Sequence, residues 1–281
     1  MAIVDRLRRI FLIIGLMASA PLCGAEEPKP YSVYVTPQLP PEVMHQAWFP
    51  LLETLSRETG LKFNLVIPPS IPAFETLLLK GMPDFAFMNP YLQLPAKKSQ
   101  GYVPLVRTGQ SMLVGQLLVR DDSPAKTLKD LDGATIAFPA PNSFAASLYL
   151  RAMLTREKIR FTPIYVGSHS NAYRHALFGE ALACGGVNFS LAREPADVRG
   201  KLRSIYSTPP LMPHPFSAHS RVPAQVRERV TAALLRLAAR PENRALFHST
   251  QMPEPVRADY VRDYQPMEAL GLDKLLVFGG D

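Results

Sequence analysis

The sequence predicts an α/β protein built as two lobes, and three observations carry that reading. Short apolar runs alternate with segments whose apolar residues recur at helical spacing, the pattern of parallel sheets covered by helices. The cycle of strand, helix, strand, helix and short strand occurs twice, the second time from Ser123 onward. Two segments are suited to crossing between lobes, the apolar run Met112–Val119 and the proline-rich Pro209–Pro215. The expected division is a leader over 1–25, a first lobe over 26–116, a second over 117–208, and 209–281 as the return to the first lobe with C-terminal helices.

Each element has a local reason. Tyr31–Val35 alternates as a strand, and a helix follows from about Glu42 with Val43, Ala47, Trp48, Leu51, Leu52 and Leu55 on one face. Pro50 lies inside it, and Gly60 ends it as a C′ glycine. Leu61–Ile67 reads as a strand, Ser70 caps a helix to about Lys80, Gly81 stops it, and Phe85–Met88 is a short strand. Tyr102–Val106 and Met112–Val119 read as strands. In the second cycle Ser123-Pro124 opens a helix that Asp132-Gly133 closes, and Ala134–Phe138 is a strand. A helix begins at Ser143, Pro163–Val166 is a strand, and Asn171–Phe178 is helical. Cys184–Val187 and Ser204–Tyr206 are short strands, Val222–Ala239 is an amphipathic helix, and two short helical pieces finish the chain.

Composition narrows the class. Of 281 residues, 47% are hydrophobic and 20% charged, too apolar for a disordered chain. Two cysteines exclude a disulfide scaffold and a cysteine-based zinc framework. At the N-terminus, Arg6, Arg8 and Arg9 precede the apolar run Ile10–Ala20, and Cys23-Gly24-Ala25 precedes Glu26. This is a secretory leader with cleavage after Ala25, the run being shorter than the ~20 residues of a membrane span. An uncleaved anchor is the bland alternative. Lipidation at Cys23 is another, although Ala20-Pro21-Leu22 departs from the preferred residues before a lipidated cysteine. The cleaved chain keeps 28 basic and 23 acidic residues, a charge of +5, with no cationic run dense enough for nucleic acid. Cys184 is then its single cysteine, and the product is expected to be soluble and monomeric.

In open α/β sheets a ligand sits beyond the carboxyl ends of the strands. Three exit loops stand out: Asn89-Pro90-Tyr91, Pro141-Asn142-Ser143-Phe144-Ala145 and Gly167-Ser168-His169. Ser143 reads either as a plain N-cap or as the start of an anion site made by free backbone N–H groups. His169 reads either as a packing histidine or as a ligand contact. His214 and His219 read as residues of a proline-containing surface loop, and Cys184 as buried packing. Neither a nucleophile elbow nor a nucleotide-binding glycine loop is present. No cofactor and no metal are expected.

Four stretches resemble one family. They are Trp48–Leu55 followed by Glu58-Thr59-Gly60; Gly81–Pro90; Leu128–Gly133 with Ala137-Phe138 and Pro141-Asn142-Ser143; and Gly167-Ser168-His169 with Cys184–Asn188. Their order and spacing are similar to the PhnD-like periplasmic substrate-binding proteins of phosphate, phosphite and phosphonate ABC importers. The resemblance implies a type II periplasmic-binding-protein-like α/β fold, with a hinge and an interlobe ligand cleft. It also implies no enzyme activity, a periplasmic location and delivery of a small anionic ligand to an inner-membrane ABC permease. The alternatives are a ligand-presenting partner of a sensor histidine kinase, or an exported hydrolase. By position Tyr91 looks like the family's first-lobe aromatic, Ser143 like the first residue of its hydroxyl-rich helix start, and His169 like its ligand-facing histidine. Asn89, Phe144 and Ala145 complete the candidate ligand-binding set. The chain departs from the pattern where Phe144 and Ala145 replace hydroxyl residues and Ala183 replaces an aspartate. The N–H groups of Phe144 and Ala145 would remain for an anion, and the Phe144 ring implies a ligand with an apolar or aromatic part, or else a divergent orphan role.

Overall fold

The computed structural model describes residues 29–278, so the leader read over 1–25 lies outside the described residues. Along the chain the strands are β1 (Tyr31–Val35), β2 (Phe63–Val66), β3 (Phe85–Phe87), β4 (Val103–Thr108), β5 (Gly115–Arg120) and β6 (Ala134–Phe138). They continue with β7 (Phe161–Tyr165), β8 (Ala183–Val187), β9 (Leu202–Ser207), β10 (Phe216–Ala218) and β11 (Pro255–Arg257). They form two sheets, ordered β11-β4-β10-β3-β1-β2 and β7-β6-β8-β5-β9.

The sheets share one plan. In each, the first of three parallel strands lies in the middle: β1 between β2 and β3, and β6 between β7 and β8. In each, an antiparallel strand lies beside the third, β10 against β3 and β5 against β8. Both antiparallel strands are the first that the chain forms after crossing from the other lobe. The crossings touch: Leu113 and Leu211 exchange backbone hydrogen bonds of 2.9 and 2.8 Å as an antiparallel bridge. Asn188 ties the first crossing to the second lobe, its side chain accepting from the Val114 N–H and donating to the Met112 carbonyl. Only the start of Met112–Val119 therefore crosses, and Gly115 already belongs to β5.

The helix Pro41–Thr59 runs through Pro50 and ends at Gly60, whose φ of 69° is the left-handed conformation of a C′ glycine. Its Trp48, Leu51, Leu52 and Leu55 are buried against Val33, Phe87, Phe216 and Leu234 in the first lobe's core. The second lobe buries Leu117, Ile136, Phe138, Leu150 and Leu154 on one sheet face, and Leu118, Ala137, Tyr173 and Cys184 on the other. A third cluster joins the lobes: Tyr91, Leu94, Tyr264 and Met267 pack with Phe144, Leu148 and Val187 around Leu113.

Several elements differ from the sequence reading. The helix expected from Ser123 is a turn followed by the short 3-10 helix Leu128–Leu131. Here the Asp130 carboxylate takes the N–H groups of Lys126 and Thr127, offering the backbone an alternative to a helix. The helix Gln93–Gln100 after the Asn89 loop is absent from that reading, because it buries only Gln93, Leu94 and Ala96 and carries Pro95. β10 and β11 have three residues each, too short for alternation to register. Among the described residues no helix is long and apolar enough to cross a membrane.

Candidate functional site

The loop after β6 delivers Ser143 to the junction of the lobes. Phe144–Leu148 forms a single wide π turn that runs into the helix Tyr149–Arg156, with the Ser147 and Leu148 N–H groups both donating to the Ser143 carbonyl. Two glycines let this turn lie close on its sheet. A Cβ on Gly115 of β5 would come 2.1 Å from the Ala145 carbonyl oxygen, and one on Gly185 of β8 would come 1.8 Å from that of Ala146. The first N–H groups of the turn, those of Phe144 and Ala145 among them, have no helical partner, as at every helix start. Ser143 is buried, makes no capping bond, and its Oγ has no hydrogen-bond partner. A buried hydroxyl left so costs about 1–3 kcal/mol, which marks the position as one where something else bonds.

Ser143 opens on a cavity of about 20 Å³, room for a water or two, between the lobes. Its wall includes Thr36, Gln38, Ile71 and Asn89 from the first lobe and Phe144, Ala145, His169 and Val187 from the second, with Leu113 and His214 from the two crossings. None of the residues lining it is Lys, Arg, Asp or Glu. The chain's basic balance therefore lies elsewhere.

Two buried histidines face this space. His169 begins the helix His169–Leu177, whose N-cap is Ser168, so it lies in the first turn rather than in the exit loop. Its Nδ1 is 3.2 Å from Ser190 Oγ, which also meets Tyr173 Oη at 2.6 Å. Burial pushes the His169 pKa down to about 4. His214 was expected on the surface, yet it is buried, with its ring stacked on Phe87 at 5.4 Å. Two flanking prolines immediately before a strand were the signal available for that. Gln251 Nε2 donates to Gln38 Oε1 at 2.8 Å, which turns the Gln38 amide nitrogen toward His214 Nε2 at 2.7 Å. That ring nitrogen accepts, and the neutral imidazole carries its proton on Nδ1. Burial, and then the neighbouring His169, push the His214 pKa down to about 3.

The structure brings Asn89, Ser143, Phe144, Ala145 and His169 to one cavity. Asn89 uses both ends of its amide, accepting from the Leu92 N–H and donating across the lobes to the Asn142 carbonyl. Tyr91 is not on the cavity wall. Its ring stacks on Phe144, centroids 5.3 Å apart. Sequence reasoning missed His214, Gln38 and Thr36. Asp84 holds the Ser32 N–H and hydroxyl and pairs with Arg221, a structural duty. Cys184 is buried in β8.

Two lobes joined by paired crossings, with a sheltered cavity of hydrogen-bonding groups between them, are the architecture of a solute-binding protein. The chain belongs to the family described as ABC transporter, phosphonate, periplasmic substrate-binding protein, whose profile matches residues 33–264. A comparison with curated protein sequences gives no match. Among solved structures, the binding component of a Pseudomonas aeruginosa ABC phosphonate transporter superposes with a TM-score of 0.75 at 15% identity, covering 87% of this chain and 86% of that one. PhnD1 of Prochlorococcus marinus, solved with methylphosphonate, gives 0.77 at 14% identity over 87% and 97% of the two chains. A Xanthomonas citri protein solved with ATP gives 0.71 at 19% identity over 87% and 97%. The type II periplasmic-binding fold is thereby shown, and the family is one of periplasmic substrate-binding components rather than enzymes.

Proposed function

We propose that this protein captures a small tetrahedral oxyanion of the phosphonate class in the periplasm and hands it to an ABC permease. It would be exported by its leader and work as two lobes, 26–116 with 209–281 and 117–208, that open and close about the paired crossings. The observation that carries the reading is Ser143: a buried, unpartnered hydroxyl at a helix start, facing an interlobe cavity. The Ser143 hydroxyl and the N–H groups of Phe144 and Ala145 hold the oxyanion, and a helix start favours negative charge there. His169, His214, Gln38, Thr36 and Asn89 surround it. Ile71, Leu113, Phe144 and Val187 supply apolar wall for a small alkyl substituent. With no ionised side chain on the wall, a singly charged oxyanion suits the site better than a doubly charged one. The cavity holds no more than a water or two as it stands, so the lobes part to admit the ligand and rest farther apart around it than they do here, by the hinge mode of this architecture. Tyr91 backs Phe144 in this scheme and does not touch the ligand.

Titration calorimetry and native mass spectrometry of the mature protein with methylphosphonate and inorganic phosphate test the reading. One methylphosphonate per chain, bound more tightly than phosphate, is expected. No binding of either would overturn it. Intact mass of the exported product checks processing, the expected N-terminus being Glu26.

A further inference from the structure

We propose that Glu75, Asn142 and Val277 form a latch that holds the two lobes together and releases as the Glu75 carboxyl ionises. The inference rests on the reading of the cleft as a clamp, and is independent of which solute the clamp takes.

Asn142 lies one residue before Ser143, in the loop after β6 of the second lobe. Its side chain pairs with the C-terminal segment as a backbone would, Nδ2 donating to the Val277 carbonyl at 2.8 Å and Oδ1 accepting the Val277 N–H at 2.9 Å. The same Nδ2 donates to Glu75 Oε2 at 2.8 Å, on the first-lobe helix Ile71–Leu79. The Asn142 carbonyl accepts from Asn89 of the first lobe at 3.3 Å. One second-lobe residue is thus gripped by three segments outside its lobe, beside the helix start that carries Ser143.

Glu75 is the sensitive member. It is 3% exposed, and its Oε1 is buried with no partner. No ion pair among the described residues reaches it. Lys80, which ends its own helix, is exposed, Lys97 of the neighbouring helix Gln93–Gln100 lies over the Tyr260 ring, and Lys98 is exposed. Arg151 donates to the Pro141 carbonyl and to Ser147, and Asp273 and Lys274 before Val277 are exposed. A carboxylate buried without a cation is costly, and a neutral carboxyl in the same place is cheap. Burial accordingly raises the Glu75 pKa from 4.5 to about 7, against the pull of the Asn142 hydrogen bond. A pocket of about 280 Å³, lined by Ser70, Thr76, Pro141 and Phe278, borders Glu75 and gives protons a route.

The sign follows. Once the lobes part, Glu75 meets water and returns to the ordinary carboxylate range, so closing takes up a proton between pH 4.5 and about 7. Raising the pH across that window favours opening, by up to about 300-fold in the closing equilibrium. His169 and His214, buried neutral in the closed cleft, titrate in the opposite sense. The Glu75 contribution is therefore the difference between wild type and Glu75→Gln, in which the amide oxygen still accepts from Asn142 and carries no charge.

The experiment follows the distance between lobes by energy transfer, with dyes on cysteines introduced at the exposed Arg57 and Lys129, from pH 5 to 8 without added solute. Cys184 is buried and does not compete. The expected result is that wild type shifts toward the open form relative to Glu75→Gln as the pH rises from 5 to 8, and that Asn142→Ala is more open than both at pH 5. Identical pH profiles in wild type and Glu75→Gln would overturn the proposal. So would an Asn142→Ala protein with native circular dichroism that stays as closed as wild type. Because no solute is present, failure to bind methylphosphonate leaves this outcome untouched.

Discussion

Phe144 of the second lobe stacks on Tyr91 of the first, ring centroids 5.3 Å apart and planes 23° from parallel. Both rings are buried, and because they belong to different lobes the contact exists only while the lobes are together. The position that carries a hydroxyl in the resembling family is here given to interlobe packing. Phe144→Ala removes the stack and a buried ring, a loss of roughly 3–5 kcal/mol from the closed form. A larger radius of gyration and a lower melting temperature are expected, read by small-angle scattering and calorimetry. Phe144→Thr adds a hydroxyl at the helix start but also loses the stack. Its methylphosphonate affinity is expected not to exceed that of wild type, and a gain would mean that the missing hydroxyl is the dominant defect.

Ser143→Ala separates binding from folding. The hydroxyl has no protein partner, so its removal costs the fold nothing and relieves an unsatisfied group. The melting temperature of the unliganded protein is expected to hold or rise slightly. Methylphosphonate affinity is expected to fall by one hydrogen bond to a charged group, roughly 1.5–3 kcal/mol, about tenfold to a hundredfold or more. Calorimetry reads both quantities on one sample.

The buried imidazoles set an acid limit. The pKa values of His169 and His214 are about 4 and about 3 in the closed cleft, against an ordinary 6.5. Groups with depressed folded pKa values stabilise fully above the unfolded value, and that contribution is lost as pH falls through it. Thermal stability is therefore expected to decline from about pH 6.5 downward. Protonation of Glu75 opposes part of this slope between pH 4.5 and about 7. His214→Gln keeps a polar side chain in the Gln38 and Gln251 network and removes one titrating group, so its melting temperature is expected to vary less with pH over that range. An unchanged slope would mean that His214 does not titrate on unfolding.

Legibility in the sequence followed how locally each feature is determined. The helix Pro41–Thr59, with its buried apolar face and a left-handed Gly60, announces itself by spacing alone. β6 and β8 do so by being short, apolar and bounded by turns. The π turn over Phe144–Leu148 has no signature of its own, because it depends on Gly115 and Gly185. Those glycines stand on β5 and β8, and only the folded sheet brings them under the turn. Ser143, Asn89 and His169 were legible because strand-end loops are where such folds bind. His214 was not, since its burial is set by Phe87, Gln38 and Gln251, residues distant in the chain that meet only when the lobe is complete. Tyr91 stood out as a loop aromatic, but its neighbour is Phe144, and nothing local in the sequence pairs those two rings.

The support beneath the helix start makes the last prediction. Gly185 lies in β8 directly under the π turn, where a Cβ would sit 1.8 Å from the Ala146 carbonyl oxygen and 2.6 Å from the Phe138 ring. The nearer obstacle is backbone, so no side-chain rotation relieves it. Gly185→Ala forces the turn off the sheet or the strand away from the turn, an overpacking of the kind that costs typically about 1–3 kcal/mol. Because Ser143 and the N–H groups of Phe144 and Ala145 ride on that turn, the displacement also spoils the proposed oxyanion contacts. A lower melting temperature together with a methylphosphonate affinity reduced at least as much as in Ser143→Ala is the expected outcome. Gly133→Ala provides the contrast. Its Cβ would meet nothing within 4 Å, and its φ of 80° makes the substitution a backbone strain remote from the cleft. It is expected to lower stability while leaving affinity intact. Equal affinity losses in the two variants, measured by calorimetry below both melting transitions, would show that binding follows overall stability and not the seating of the turn on Gly185.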